Sequence, residues 1–230
     1  MIGILELVRT IPPTTRAQDQ RSWGPWTDND NPGFEVRVVV TRFDDSNFGY
    51  QFQHRPIGGE FFDTVSGGFK ASSDLHRGQG GLTIHAAVAA QRLPSAKKDL
   101  DNLEKVELGY VTDVWPVSVN VVFTAKPDQA ISTLSYGYQE LKSKNARIGF
   151  VVTSSDANVQ RWESVSTWSV NGPGFAIATV AEGAPDFKGA TQFECWDASF
   201  KTVFVKQTWP GGVELGDARR CAAVEGFPAP

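Results

Sequence analysis

Three histidines, two cysteines and a short acidic turn are the residues of this 230-residue chain whose types could support chemistry. His54, His76 and His85 show neither the His-x-His nor the His-Glu-x-x-His spacing that aims two imidazoles at one metal ion, so packing or surface roles are expected of them. In Trp26-Thr-Asp-Asn-Asp-Asn-Pro-Gly33, Asp28, Asp30 and Gly33 fall at positions one, three and six of a calcium loop. Pro32 would then take position five and Val39 position twelve, where a carboxylate is required, so a turn leading into a strand is the better reading. Ser66-Gly-Gly-Phe-Lys70 and Arg77-Gly-Gln-Gly-Gly81 lack the Gly-Lys-Ser/Thr ending of a phosphate loop and read as hairpin turns and bulges. There is no Gly-x-Ser-x-Gly elbow, and the acid pairs Asp44-Asp45 and Asp99/Asp101 sit where turns and helix starts take carboxylates. Spacing therefore assigns no catalytic residue, no metal and no cofactor, and a non-enzymatic role is expected.

The cysteines are more informative. Cys195 and Cys221 flank the last strand-like run, and a bridge between them would close a loop of about 26 residues, worth roughly 3–4 kcal/mol through the unfolded chain. It would also staple the Gly/Pro-rich tail, residues 210–230, to the preceding strand. The alternative is a pair of thiols in a reducing compartment. The placement favours the bridge, and with it an oxidising compartment.

Composition narrows the partners. The formal net charge is -4, with Lys and Arg dispersed along the chain, so the basic stripe that neutralises phosphates is missing and nucleic acid is not an expected partner. No run approaches the ~18 apolar residues of a membrane helix. The opening Met1-Ile-Gly-Ile-Leu-Glu6 lacks the cationic start of a signal peptide, so an exported form would be one whose leader has been removed. Hydrophobic residues at 40 % fill one sizeable core, and no linker or charge run divides the chain, so one domain over 1–230 is expected.

The elements follow from periodicity. Ile4, Leu5, Val8 and Ile11 share a side at helical spacing until Pro12-Pro13, which predicts a short helix or arm within 1–20; residues 14–21 read as a polar surface loop. From Phe34 the period becomes two: Val36, Val38 and Val40 alternate with polar neighbours, then Phe48, Tyr50, Phe52 and His54 do so after Asp44-Asp-Ser-Asn47. An Ala-rich helical interruption spans roughly 85–105, breaking at Pro94, with Ser95 as cap and Leu93, Leu100 and Leu103 available to cover the sheet. Strands then resume at 106–112, 117–125, 133–139, 146–154, 162–170 and 175–180, followed by two terminal runs. The reading is mainly β: a single antiparallel meander of about eleven strands forming a barrel or half-barrel.

One face of these strands is rich in rings: Phe48, Tyr50, Phe52, Phe123, Tyr136, Tyr138, Phe150, Trp162 and Trp168. Either they fill a core, or a barrel too wide to fill keeps an apolar cavity. In the second case Phe48, Tyr50, Phe52, Tyr136, Tyr138, Trp162 and Trp168 are the candidate lining.

At Trp23-Gly-Pro-Trp26, Phe34-Glu-Val-Arg-Val38, Arg77-Gly-Gln-Gly-Gly-Leu-Thr-Ile84 and Phe193-Glu-Cys-Trp-Asp-Ala198 the chain resembles a group of uncharacterised exported bacterial lipoproteins. Its order of elements is also similar to the periplasmic lipoprotein-carrier half-barrels, an N-terminal helix followed by a meander interrupted by helices. These resemblances imply a periplasmic, outer-membrane or cell-surface location and a non-enzymatic envelope protein that binds a lipid, an acyl chain or another apolar ligand. A structural or protein-interaction module with a filled core, meeting another envelope protein, is the alternative. An enzyme of unrecognised type is the third reading.

Overall fold

The computed structural model describes residues 10–74 and 77–227. Except for its last two residues, the helix expected over 2–11 lies outside them, as does His76. Fifteen strands and two α-helices are present among the described residues. In chain order they are β1 (Thr15–Arg16), β2 (Gln20–Thr27), β3 (Phe34–Arg42), β4 (Asn47–Pro56), β5 (Phe62–Ala71), β6 (Gly78–Ile84), α1 (Ala86–Arg92), α2 (Pro94–Leu100), β7 (Leu103–Val111), β8 (Val117–Ala125), β9 (Ile131–Glu140), β10 (Ala146–Ser154), β11 (Val159–Trp168), β12 (Gly174–Gly183), β13 (Thr191–Trp196), β14 (Thr202–Gln207) and β15 (Glu214–Gly216). The strands lie side by side in sequence order as one meander sheet, with β1 and β15 at its two ends. The chain divides into two compact units, residues 1–109 and 110–230.

In the first unit the period-two pattern becomes register. Val36, Val38 and Val40 of β3 face His54, Phe52 and Tyr50 of β4, and Phe48, Tyr50 and Phe52 face Phe69, Gly67 and Val65 of β5. The turn joining β3 to β4 is built by the Asp44 carboxylate, which accepts the backbone N–H of Ser46 and of Asn47 at 2.8 and 2.9 Å. Those hydrogen bonds, with one from the Asn47 side chain, hold the Asp44 carboxyl down at about 2. Helix α1 packs on β5 and buries Ala86, Ala89 and Ala90, residues small enough to let a helix lie close to a sheet. Its last residue, Arg92, sets its guanidinium 4.7 Å above the Phe62 ring. The reverse face of the sheet is polar: Arg37 donates to Gln53, Gln51 and Gln53 donate to Asp63, and Arg55 pairs with Glu35.

In the second unit Val119 and Val121 face Tyr138 and Tyr136, which in turn face Ile148 and Phe150. Tyr136 and Phe150 meet edge-on with centroids 4.7 Å apart. This aromatic face is only half-buried. The close-packed core of the unit lies on the other face of the sheet, where Phe175, Cys195, Val203, Phe204 and Val224 pack together with Phe193 and Phe227 against them. The Cys195–Cys221 bridge is formed and Cys195 is fully buried, so the tail is drawn down as the lid of that core.

Several expectations are corrected. The sheet is open, so the closed barrel is not formed; among the described residues β1 pairs with β2 and β15 with β14, and these two strands end the sheet. Among the described residues there are fifteen strands, not about eleven. Residues 14–21, read as a loop, contain β1 and the start of β2, whose pattern is broken by a bulge between Trp23 and Trp26. The helical interruption ends earlier than expected: Leu103 opens β7, and Pro94 at the first position of α2 displaces Ser95 as cap. Leu93 is buried, but α2 buries none of its residues, so Leu100 covers little.

Candidate functional site

Four turns of the second unit, at 112–116, 141–145, 169–173 and 197–201, join β7 to β8, β9 to β10, β11 to β12 and β13 to β14. Alternate turns of a meander fall at the same end, and here hydrogen bonds tie neighbouring turns together. Asn145, only 6 % exposed, donates to the Glu225 carbonyl of the tail at 3.0 Å and accepts the Val170 N–H at 3.1 Å. The Trp196 indole N–H donates to the Gly172 carbonyl at 2.9 Å. The Lys144 ammonium lies 4.7 Å from the centre of the Trp115 ring and 2.8 Å from Glu140.

Between the last three of these turns lies an open cleft of about 390 Å3. Trp168, Trp196 and Phe200 supply its rings, Lys144 and Ser169 its polar side chains, and Val170 and Gly172 the remainder. Trp168 faces Gly174, which faces Trp196 on the next strand, so both indoles emerge on one side of the sheet with no side chain between them. A Cβ on Gly174 would sit 2.6 Å from Trp196 Cζ2, so the missing side chain is what lets that indole lie flat on the strand. Phe200 stands at the tip of its turn and is 72 % exposed.

The polar rim is internally paired. Glu140 accepts from the Lys144 ammonium and from the Tyr138 hydroxyl, each at 2.8 Å, and these bonds lower its pKa. Burial, followed by the Glu140 carboxylate, pushes the Tyr138 hydroxyl up to about 12, so it stays a hydrogen-bond donor throughout the neutral range. Tyr138 also lies 6.4 Å from Trp168, ring centre to ring centre. Apolar faces flanked by fixed donors can seat and orient a ligand.

A second cluster of titratable groups belongs to the first unit. His54, 8 % exposed, places Nδ1 2.9 Å from Thr64 Oγ1 and Nε2 3.5 Å from Asp28 Oδ2. Asp28 accepts from the Asn31 side-chain amide at 2.8 Å, and Asn31 accepts the Ser95 N–H of α2 at 3.0 Å. Acid, imidazole and hydroxyl stand in a row, but Thr64 is 5 % exposed and its hydroxyl also bonds the Phe52 carbonyl at 3.1 Å. The string clamps the β2–β3 turn, β4, β5 and α2 together. Asp28 is used within its own turn, accepting the N–H groups of Asp30 and Asn31.

Of the residues proposed from sequence, Trp168 lines the cleft and Tyr138 stands behind it. Tyr136 packs between Phe123 and Phe150. Trp162 lies toward the other end of β11, 37 % exposed, opposite Val152 and Val180. Phe48, Tyr50 and Phe52 belong to the first unit, where Phe48 stacks on Phe69 and Phe52 meets His54 edge-on. Lys144, Ser169, Val170, Trp196 and Phe200 were missed because four of them sit in or beside turns, where apolar periodicity carries no signal. A readable cue did exist: at Phe200, a bulky residue fills a turn position that glycine or asparagine usually takes.

No family model, curated protein or solved structure matches this chain.

Proposed function

We propose that this is a non-enzymatic binding protein of the cell envelope, and that its ligand lays an apolar face on the rings of the Trp168–Trp196–Phe200 cleft. The observation that carries the reading is conformational. Two non-glycine residues among those described have backbone φ in the left-handed region, Lys144 at 71° and Phe200 at 58°, and both line this cleft. An L-residue held there costs about 1–2 kcal/mol relative to an unstrained backbone. Glycine would relieve the strain at either turn; Lys144 has its Glu140 and Trp115 contacts to set against that cost, whereas the Phe200 ring, 72 % exposed, is accounted for by its place above the cleft.

The Cys195–Cys221 bridge supports the envelope location, since such bonds persist where thiols are not kept reduced. The form of the ligand follows from the walls. The cleft is open to solvent, and an acyl chain buried along its whole length needs apolar walls on every side. A ligand with one apolar face suits it better.

The test is Phe200→Gly, examined for stability and for saturable binding of an environment-sensitive hydrophobic dye to the folded, oxidised protein. The variant is expected to gain about 1 kcal/mol of stability from the relieved backbone and to lose dye binding. Undiminished binding by the variant would reject the cleft as the site.

A further inference from the structure

We propose that the ligand of this cleft is a neutral saccharide, one ring of a glycan lying on the Trp168 and Trp196 indoles beneath Phe200. This inference rests on the reading of the cleft as the binding site and adds the chemical class.

The floor comes first. Trp168 and Trp196 leave one face of the sheet two strands apart with Gly174 between them. The Trp196 indole is pinned flat, by the absent Gly174 side chain and by its N–H bond to the Gly172 carbonyl. Its only donor is thereby used, and what it offers a ligand is a fixed aromatic face of negative quadrupole. The complement to such a face is a flat patch of weakly polarised C–H groups. One side of a pyranose ring presents such a patch, while its rim carries hydroxyls.

The rim then selects against other ligands. The Trp168 indole lines the cleft and carries one N–H, a donor without an acceptor counterpart on its ring. Ser169 Oγ accepts the Asn171 N–H at 3.0 Å, which leaves its own proton to donate. Lys144 contributes an ammonium to the polar rim. That ammonium is already paired with Glu140 at 2.8 Å, so the site has no unbalanced positive charge to call for an anion. Donors around an apolar floor, without net charge, match a ligand that is uncharged, rich in hydroxyl acceptors and apolar on its face. The open cleft lets the neighbouring rings of a glycan continue into solvent, and about 390 Å3 lies within the range of sites for small ligands.

The experiment uses the full oxidised chain and a panel of neutral tetrasaccharides built from glucose in α and β linkage, mannose, galactose and N-acetylglucosamine. Binding is read by tryptophan fluorescence and by saturation-transfer NMR, beside the hydrophobic dye and a proline-rich peptide. At least one tetrasaccharide is expected to bind saturably, with transfer strongest at ring C–H protons. Phe200→Gly should weaken it about tenfold or more, and Trp168→Phe, which keeps a ring and removes the N–H, by a smaller factor. Trp196→Ala, which removes half of the floor, should abolish it; should that variant fail to fold, the other two still decide the matter. If no tetrasaccharide binds while the dye does, and Phe200→Gly abolishes the dye, the saccharide inference is overturned and the binding cleft stands. Preference for the peptide, or sugar binding unchanged in both variants, also overturns the inference. Wild-type protein that binds neither the dye nor any tetrasaccharide overturns the cleft itself.

Discussion

His54 shows how one residue's burial becomes a property of the whole chain. Burial lowers its pKa from the ordinary 6.5, and the nearby Asp28 opposes that shift without cancelling it. Because the folded value lies below the unfolded one, the unfolded chain binds more protons in the interval between them, and stability rises with pH there. The contribution is therefore complete above about pH 6.5 and is lost as pH falls through the depressed folded value. The urea midpoint should drop between pH 7 and pH 5 in the wild type, and His54→Asn should flatten that part of the profile. An unchanged slope in the variant would place the sensitivity elsewhere. At this scale the sequence was legible only in part. The alternation of Phe48, Tyr50 and Phe52 put His54 on the apolar face, and the structure keeps it there opposite Val36 and Phe62. What alternation could not convey is that the β2–β3 turn folds back to present Asp28, because that contact joins residues 26 positions apart through a turn of no regular period.

At the scale of elements, strands were readable wherever both faces differ and unreadable where the pattern is short or bent. The pairs β3–β4 and β9–β10 follow from alternation alone. Strand β2 was hidden by Gly24-Pro25, which bulges the strand between its two tryptophans, and β1 and β15 are too short to show a period. Alternation also named the aromatic face of the second unit without saying which face would be closed over. The tail decides that, and it does so through a covalent bond and through Asn145. This one side chain bonds the tail and the 169–173 turn at once, so Asn145→Ala would leave the Glu225 carbonyl and the Val170 N–H without their partner. Val170 and Glu225 are exposed residues and both bonds are part-buried, so the expected cost is about 0.5–1.5 kcal/mol for each bond lost. Chemical denaturation should show that loss, and dye affinity should fall with it, since the 141–145 turn carries Lys144. A variant with wild-type stability would mean that water replaces the amide and that the turn is held by its own backbone bonds.

For the whole molecule, closure of the sheet was the question that composition could not answer, because the alternation of inward and outward residues along a strand is the same in an open sheet as in a closed one. The division into two units has a consequence of its own. The core of residues 110–230 is held by the bridge and the tail, whereas that of 1–109 is held by α1 on β5 and by the Asp28–His54–Thr64 string. Reducing Cys195–Cys221 releases a loop of about 26 residues and removes roughly 3–4 kcal/mol of unfolded-state restraint. If stability is distributed in local cooperative blocks, the loss appears where the tail packs and not uniformly. Amide exchange after reduction should therefore accelerate in β12 to β14 and in the 141–145 turn, and stay near its oxidised rate in β3 to β5. Equal acceleration in both regions would show the sheet opening as a single block. The cleft would then depend on the integrity of the entire meander rather than on its stapled end.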